Sequence, residues 1–247
     1  NDIGVVDIVL FTVKLADTDA AAARLAPLIG PHTKVVSVQN GIDSADMIAR
    51  HVDVRAVAGG IIYLAAYIKQ PGVITFPGGF EKLLFDGLNG DRVLAEFAAA
   101  CNSANGISAQ TDAQPGRLLW HKFIGLGAFS ALTAVTRLPL GILRENSLTS
   151  DLYRQLLREG MAVAQARGHT FDEAYFQSMV DIFMNQPASM KSSLLVDIEA
   201  KKPTEVAWLS GRMHQVGQEL GVATPAHSVI WAALSPHQSG PPTQPEN

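Results

Sequence analysis

Asp7-Ile8-Val9-Leu10-Phe11-Thr12-Val13-Lys14 and Lys34-Val35-Val36-Ser37-Val38-Gln39-Asn40-Gly41 are the two runs whose reading decides the fold of this chain. Each is a short, continuous β-branched and apolar segment that ends on polar residues. A strand with one wet face would alternate apolar and polar residues; an unbroken apolar strand is one covered on both faces. Between them, residues 17–29 carry alanine-rich helical spacing and stop at Gly30-Pro31. A second helix is predicted over 44–51 and a third strand over 55–59. This βαβαβ rhythm predicts a parallel sheet with right-handed crossovers. Short strands are then expected at 61–66, 73–76 and 82–85, separated by Pro71-Gly72 and Gly78-Gly79. A closing helix over 91–104 and a short strand through Ile107 complete the set.

From Pro115 onward the periodicity becomes helical throughout. Helices are predicted over 117–135, 140–144, 148–167, 172–184, 189–200, 203–220 and 226–234, with Pro203 in a first-turn position and Gly221 at a stop. The expected architecture is therefore α/β followed by all-α. Residues 1–112 are expected to form an α/β sheet domain, 113–234 a helical domain, and 235–247 a disordered, proline-rich tail.

Composition narrows the function classes. The 247 residues carry a formal net charge of −4 with both signs scattered, which argues against a nucleic-acid binder or a polybasic membrane module. The single cysteine, Cys101, cannot form an internal disulfide and reads as a small buried apolar residue, consistent with a reducing cytoplasm. The uncharged run from Phe123 to Thr136 spans 14 residues, short of the roughly 20 a bilayer requires, so it reads as a buried helix. The seven histidines form no metal spacing. A serine hydrolase elbow, Gly-x-Ser-x-Gly, is missing as well.

Chemistry concentrates in a few places. Lys122 sits inside the most apolar stretch, Leu118 to Val135. A buried ammonium needs a carboxylate, a ligand or a reaction, and desolvation lowers its pKa toward neutrality. Alternatively its stem covers the apolar helix while its head reaches water. Lys14 and Gln39-Asn40-Gly41 follow two adjacent strands at their carboxyl ends, where open parallel sheets bind ligands. Simple turn punctuation would use the same residue types. Ser193 and Asp197 are four apart on one helix face, and Glu205 is expected in the first turn of the next helix, where the macrodipole favours an acid. Gly59-Gly60 lacks the third glycine of a pyrophosphate loop.

In order along the chain, Val13-Lys14, Val38-Gln39-Asn40-Gly41, Leu119-Trp120-His121-Lys122 and Ser192-Ser193-Leu194-Leu195-Val196-Asp197 with Pro203-Thr204-Glu205 resemble ketopantoate reductases (2-dehydropantoate 2-reductases). The resemblance runs from Asp7 to about Leu234. It implies a Rossmann domain that binds NADPH, a helical second domain and a small 2-oxo acid as substrate. It implies Lys122 as general acid with Glu205 as its partner, and Asn40, Ser193 and Ser130 toward the substrate. Lys14, Asn40 and the backbone at Ala66 fall toward the cofactor. A homodimer is also compatible with it.

Several positions depart from the family pattern. Asparagines one and two turns after the catalytic lysine are Leu126 and Ser130 here, a later substrate asparagine is Leu140 or its neighbour, and a cofactor-side glutamine is Asp17. Fewer amides point to a less polar 2-oxo acid. The chain starts at Asn1 almost within a strand, which reads as a fragment whose first strands and phosphate loop lie upstream. Two alternatives remain: a catalytically silent folding or dimerisation module, and a β-hydroxyacid dehydrogenase-like enzyme. Leu126 counts against the second.

Overall fold

The computed structural model describes residues 3–64, 66–76 and 81–242. It divides into two compact units, residues 1–119 and 120–247.

The first unit is built on a five-stranded sheet of β1 (Ile8–Phe11), β2 (Lys34–Ser37), β3 (Val57–Tyr63), β6 (Lys82–Asp86) and β7 (Ser108–Asp112), in that spatial order. A separate antiparallel hairpin joins β4 (Tyr67–Gln70) to β5 (Val73–Thr75). Strands β1, β2 and β3 are parallel, as the βαβαβ rhythm predicts. Both faces are covered. Val35 and Val57 pack beneath α1 (Thr18–Ala22) and α2 (Ser44–Ile48), whereas Val36 and Ala58 turn to the opposite face, which holds Leu94 of α3 (Arg92–Ser103). Neighbouring residues thus serve opposite layers, which is why the strands read as unbroken apolar runs.

Several expectations needed correction. The helix over 17–29 is broken into 3-10 turns at Leu15–Asp17 and Ala26–Leu28 around the short α1. Pro27 removes an N–H and disfavours helix at the preceding residue, so the turn tightens through Arg24 and Leu25. The strands expected at 55–59 and 61–66 are one strand, β3, and Gly59-Gly60 lies inside it rather than in a loop. A Cβ on Gly60 would stand 2.8 Å from the Leu84 carbonyl oxygen, and one on Gly59 would stand 3.3 Å from Leu119 Cδ1. Close packing therefore accounts for this pair. Strand β6 runs antiparallel to β3, so the sheet is mixed. The polar strands β4 and β7 carry little apolar signal: the former was not anticipated, and the latter begins beyond Ile107. Gly78-Gly79 lies outside the described residues. Cys101 is half-buried rather than buried.

The helix α4 (Pro115–Thr136) leads into the second unit, followed by α5 (Leu140–Glu145), α6 (Ser147–Ala166), α7 (Glu173–Asn185), α8 (Ser193–Glu199), α9 (Ser210–Leu220) and α10 (Pro225–Leu234). Helix α4 is long and apolar enough to cross a membrane by length and composition, yet ten of its residues from Trp120 to Ala134 are buried within the protein. Phe123, Ile124, Ala128 and Leu132 of α4 are buried, as are Leu156, Val163, Met213 and Ile230 of the later helices. A buried carboxylate ties the bundle together: Glu159 accepts the backbone N–H groups of Ala226 at 2.9 Å and His227 at 3.0 Å, capping α10 from α6. Gly221 ends α9 in the left-handed conformation, as its position predicts.

Corrections apply here too. The helix over 189–200 begins only at Ser193, because Ser192 is its cap. The helix over 203–220 is a 3-10 turn, Val206–Trp208, and then α9, so Pro203 and Glu205 precede regular helix. Thr204 is the cause: its N–H and hydroxyl bond the carbonyls of Gln238 and His237, holding the segment extended. The same bonds order the start of the expected tail, where Ser235–His237 forms a 3-10 turn. Residues 243–247 of that tail lie outside the described residues.

Candidate active site

In the first unit, the carboxyl edge of the parallel strands gathers three of the candidate residues. Gln39, buried behind β2, donates through Nε2 to the Val13 carbonyl at 2.7 Å and to Thr18 Oγ1 at 2.8 Å. Its Oε1 accepts from Ser37 Oγ. This brace clamps the end of β1 to the end of β2, so Lys14 and Asn40 leave the sheet from neighbouring strands. Gly41 follows at φ 97, a turn that a side chain would strain. Lys14 is exposed and Asn40 half-buried. Ala66 follows the third parallel strand, β3, and is exposed. Gln39 is thus structural, whereas its neighbour Asn40 is half-buried and takes no part in the brace.

In the second unit the central group is Lys122. Trp120, Phe123 and Ile124 around it are buried, and Trp120 meets Phe123 edge-on at 5.5 Å. The helix is held at this point from α7: Tyr175 Oη donates to the His121 carbonyl at 2.8 Å, and its ring lies 4.9 Å from the His121 ring. Burial pulls the Lys122 ammonium down to a pKa of about 8, while the carboxylate of Glu205 pulls it the other way. Glu205 is held between Thr204, bonded to the C-terminal turn, and Val206, which is wholly buried. Two segments far apart in the chain thus place a cation and an anion within electrostatic reach.

Ser192 and Ser193 divide their work. Ser192 is buried, caps α8 through Leu195 N–H at 3.1 Å and accepts from Thr133 Oγ1 at 2.7 Å. That bond ties α8 to the same face of α4 that carries Lys122, Leu126 and Ser130. Ser193 is exposed in the first turn and Asp197 half-buried. Ser130 is fully enclosed, and its hydroxyl has no hydrogen-bond partner among the described residues. Leu126 is half-buried and Leu140 buried. Thr133 and Tyr175, which position these elements, gave no signal in the sequence, since each acts on a segment distant in the chain.

Family models match most of the chain. Residues 1–86 match the family model described as Ketopantoate reductase PanE/ApbA, and residues 116–238 match that described as Ketopantoate reductase PanE/ApbA C terminal. The 2-dehydropantoate 2-reductase of Archaeoglobus fulgidus is 30% identical over 218 residues, covering 87% of this chain and 71% of the relative. A PanE/ApbA family ketopantoate reductase from Ralstonia eutropha superposes with a TM-score of 0.82 at 30% identity, over 95% of this chain and 76% of that one. A D-mandelate dehydrogenase solved with NADH and anilino(oxo)acetate shares the fold, with a TM-score of 0.86 at 19% identity over 96% and 77% of the two chains. By its two family matches and its relatives, this chain belongs to the ketopantoate reductase family.

Proposed function

We propose that this chain reduces a 2-oxo acid, ketopantoate or a less polar relative, to the 2-hydroxy acid with NADPH, and that Lys122 is the proton donor. The observation that carries the reading is the desolvated ammonium of Lys122 on an apolar helix under the charge of Glu205. A surface lysine whose head reaches water would titrate near its ordinary value. One that titrates near 8 still holds its proton at neutral pH and releases it readily.

The carboxyl edge that carries Lys14, Asn40 and Gly41 suits a nicotinamide cofactor: an exposed cation, an amide and a turn that allows close backbone approach. When bound, that cofactor supplies the hydride for the carbonyl carbon. The protein's part is to fix the acid and protonate its oxygen. Lys122 Nζ gives its proton to the carbonyl oxygen as charge develops there, and its positive charge favours that development. Glu205 holds the ammonium charged and oriented. In the helical unit Ser193, exposed in the first turn of α8, offers its hydroxyl to the substrate, whereas the enclosed hydroxyl of Ser130 is left out. Leu126 and Leu140, in place of amides, favour an acid with few hydroxyls. The NADH bound by the related D-mandelate dehydrogenase supports a nicotinamide cofactor of either kind; a cytoplasmic setting with plentiful NADPH fits the reductive direction.

The test is turnover of ketopantoate, and of the same 2-oxo acid without its hydroxyl, by the wild type and by Lys122→Ala. Loss of a positioned acid is expected to cost about 10²- to 10⁴-fold in kcat. Activity retained within about tenfold would remove Lys122 from the chemistry.

A further inference from the structure

A cavity of about 270 Å³ lies in the helical unit, and neither Lys122, Glu205 nor Ser193 lines it. Its polar lining is wholly basic or imidazole: Arg137, Lys201, Lys202 and His237, with Ile198 and Pro241 as apolar walls. We infer that this cavity is a binding site for the dianionic phosphate group of a small molecule.

Three independent features support this. First, no ion pair involves Arg137, Lys201 or Lys202 among the described residues, whereas Lys34, Arg158 and Lys191 each meet a carboxylate within 2.8 Å. Second, Arg137 is held in place. Its Nη2 donates to His237 Nε2 at 3.1 Å, while its buried Nη1 has no hydrogen-bond partner among the described residues. A guanidinium only donates, so that nitrogen calls for an acceptor, and phosphate oxygens match its fork. Third, two of these cations leave helix ends in the left-handed conformation. Arg137 and Lys201 follow α4 and α8 at φ 62 and φ 57, left-handed positions that normally go to glycine. Cations at helix ends do gain from the macrodipole, but that gain requires neither a shared cavity nor a buried nitrogen left without an acceptor.

The walls are anchored. Lys202 N–H bonds the Asp197 carbonyl at 2.9 Å, and Thr204 fixes the turn that carries His237. Three permanent charges suit a dianion better than a single carboxylate, and the volume leaves room for a small organic body beside the phosphate group.

Isothermal titration of the purified chain with inorganic phosphate, and separately with glycerol 3-phosphate, tests the inference. Saturable one-to-one binding is expected, weakened by added sodium chloride. Similar affinities would assign the free ion and tighter binding of the ester an esterified ligand; either supports the phosphate site. Arg137→Met is expected to weaken binding by about tenfold or more. Because Arg137 is half-buried and its loss can impair folding, the exposed pair Lys201→Gln and Lys202→Gln supplies a second variant with the same expected loss. The His237 ring resonance, identified by its disappearance in His237→Gln, should move on phosphate addition. Unsaturable heats, binding undiminished in the double lysine variant, or an unmoved His237 resonance would each overturn the site. None of these variants touches Lys122 or Glu205, so failure here leaves the proposed reductase chemistry standing.

Discussion

Replacing Glu205 by Gln removes one negative charge while keeping the shape of the side chain, and its effect should be read directly on Lys122. With burial holding Lys122 near pKa 8, about ten ammonium forms are present for each amine at pH 7. Glu205 opposes the burial effect, so its neutralisation lowers that ratio. An opposite charge in close reach is worth about tenfold or more in such a ratio. The variant should therefore hold about as much amine as ammonium at pH 7, or more. Competitive labelling with trace acetic anhydride across pH 5–10, read by mass spectrometry of the peptide containing Lys122, gives this titration without any assay of turnover. Lysine-containing peptides of the urea-unfolded protein serve as references. In the wild type, Lys122 should become reactive around pH 8, and in Glu205→Gln at least about one pH unit lower. Coincident titrations in the two proteins, or a wild-type midpoint close to the references, would refute the electrostatic pairing. The alkaline limb of the pH profile for substrate reduction, followed as kcat/KM, should be displaced in the same direction.

Three further outcomes follow from the helical and sheet cores. His227 is wholly buried, and desolvation lowers it from 6.5 to about 4; the unfolded chain takes up its proton first, so this stability is intact above pH 6.5 and is lost as pH falls toward 4, by about 3 kcal/mol. Urea midpoints at pH 7 and 4.5 should show a shallower acid loss in His227→Gln; an unchanged loss would sink the assignment. Glu159→Ala leaves the buried N–H groups of Ala226 and His227 unmet and should cost about 2–4 kcal/mol in urea unfolding, with less than 1 kcal/mol counting against the cap. Gly60→Ala places a Cβ 2.8 Å from the Leu84 carbonyl oxygen inside the sheet and should cost about 1–3 kcal/mol, whereas a neutral result would show that β3 and β6 shift freely.

The two kinds of error in reading the sequence have one origin. Elements whose side chains meet two covered layers, such as β1 to β3, announce themselves because every position must be apolar. Elements fixed mainly by hydrogen bonds to a distant partner do not. Strand β7, Ser-Ala-Gln-Thr-Asp, exists because it pairs with β6, and the helix expected from Pro203 is interrupted because Thr204 is bonded to the turn at 237–238. Gly59-Gly60 resembled a fragment of a phosphate loop, but its smallness answers to packing within the sheet. For the site, the lysine in an apolar helix and the polar residues after β1 and β2 were visible in the sequence. That Gln39 is a brace and Ser192 a cap, with Ser193 left exposed, was not.

By itself the sequence determined the class of architecture, the long α4 and the identity of the candidate acid, because burial imposes composition and period on each segment separately. Only the tertiary structure decided that Glu205 follows an extended segment held by Thr204, that Ser130 is enclosed, and that Arg137, Lys201 and His237 share one cavity. Those are relations between segments, set by hydrogen bonds and electrostatic fields acting over a few ångströms in space, and such distances leave no periodic trace along the chain.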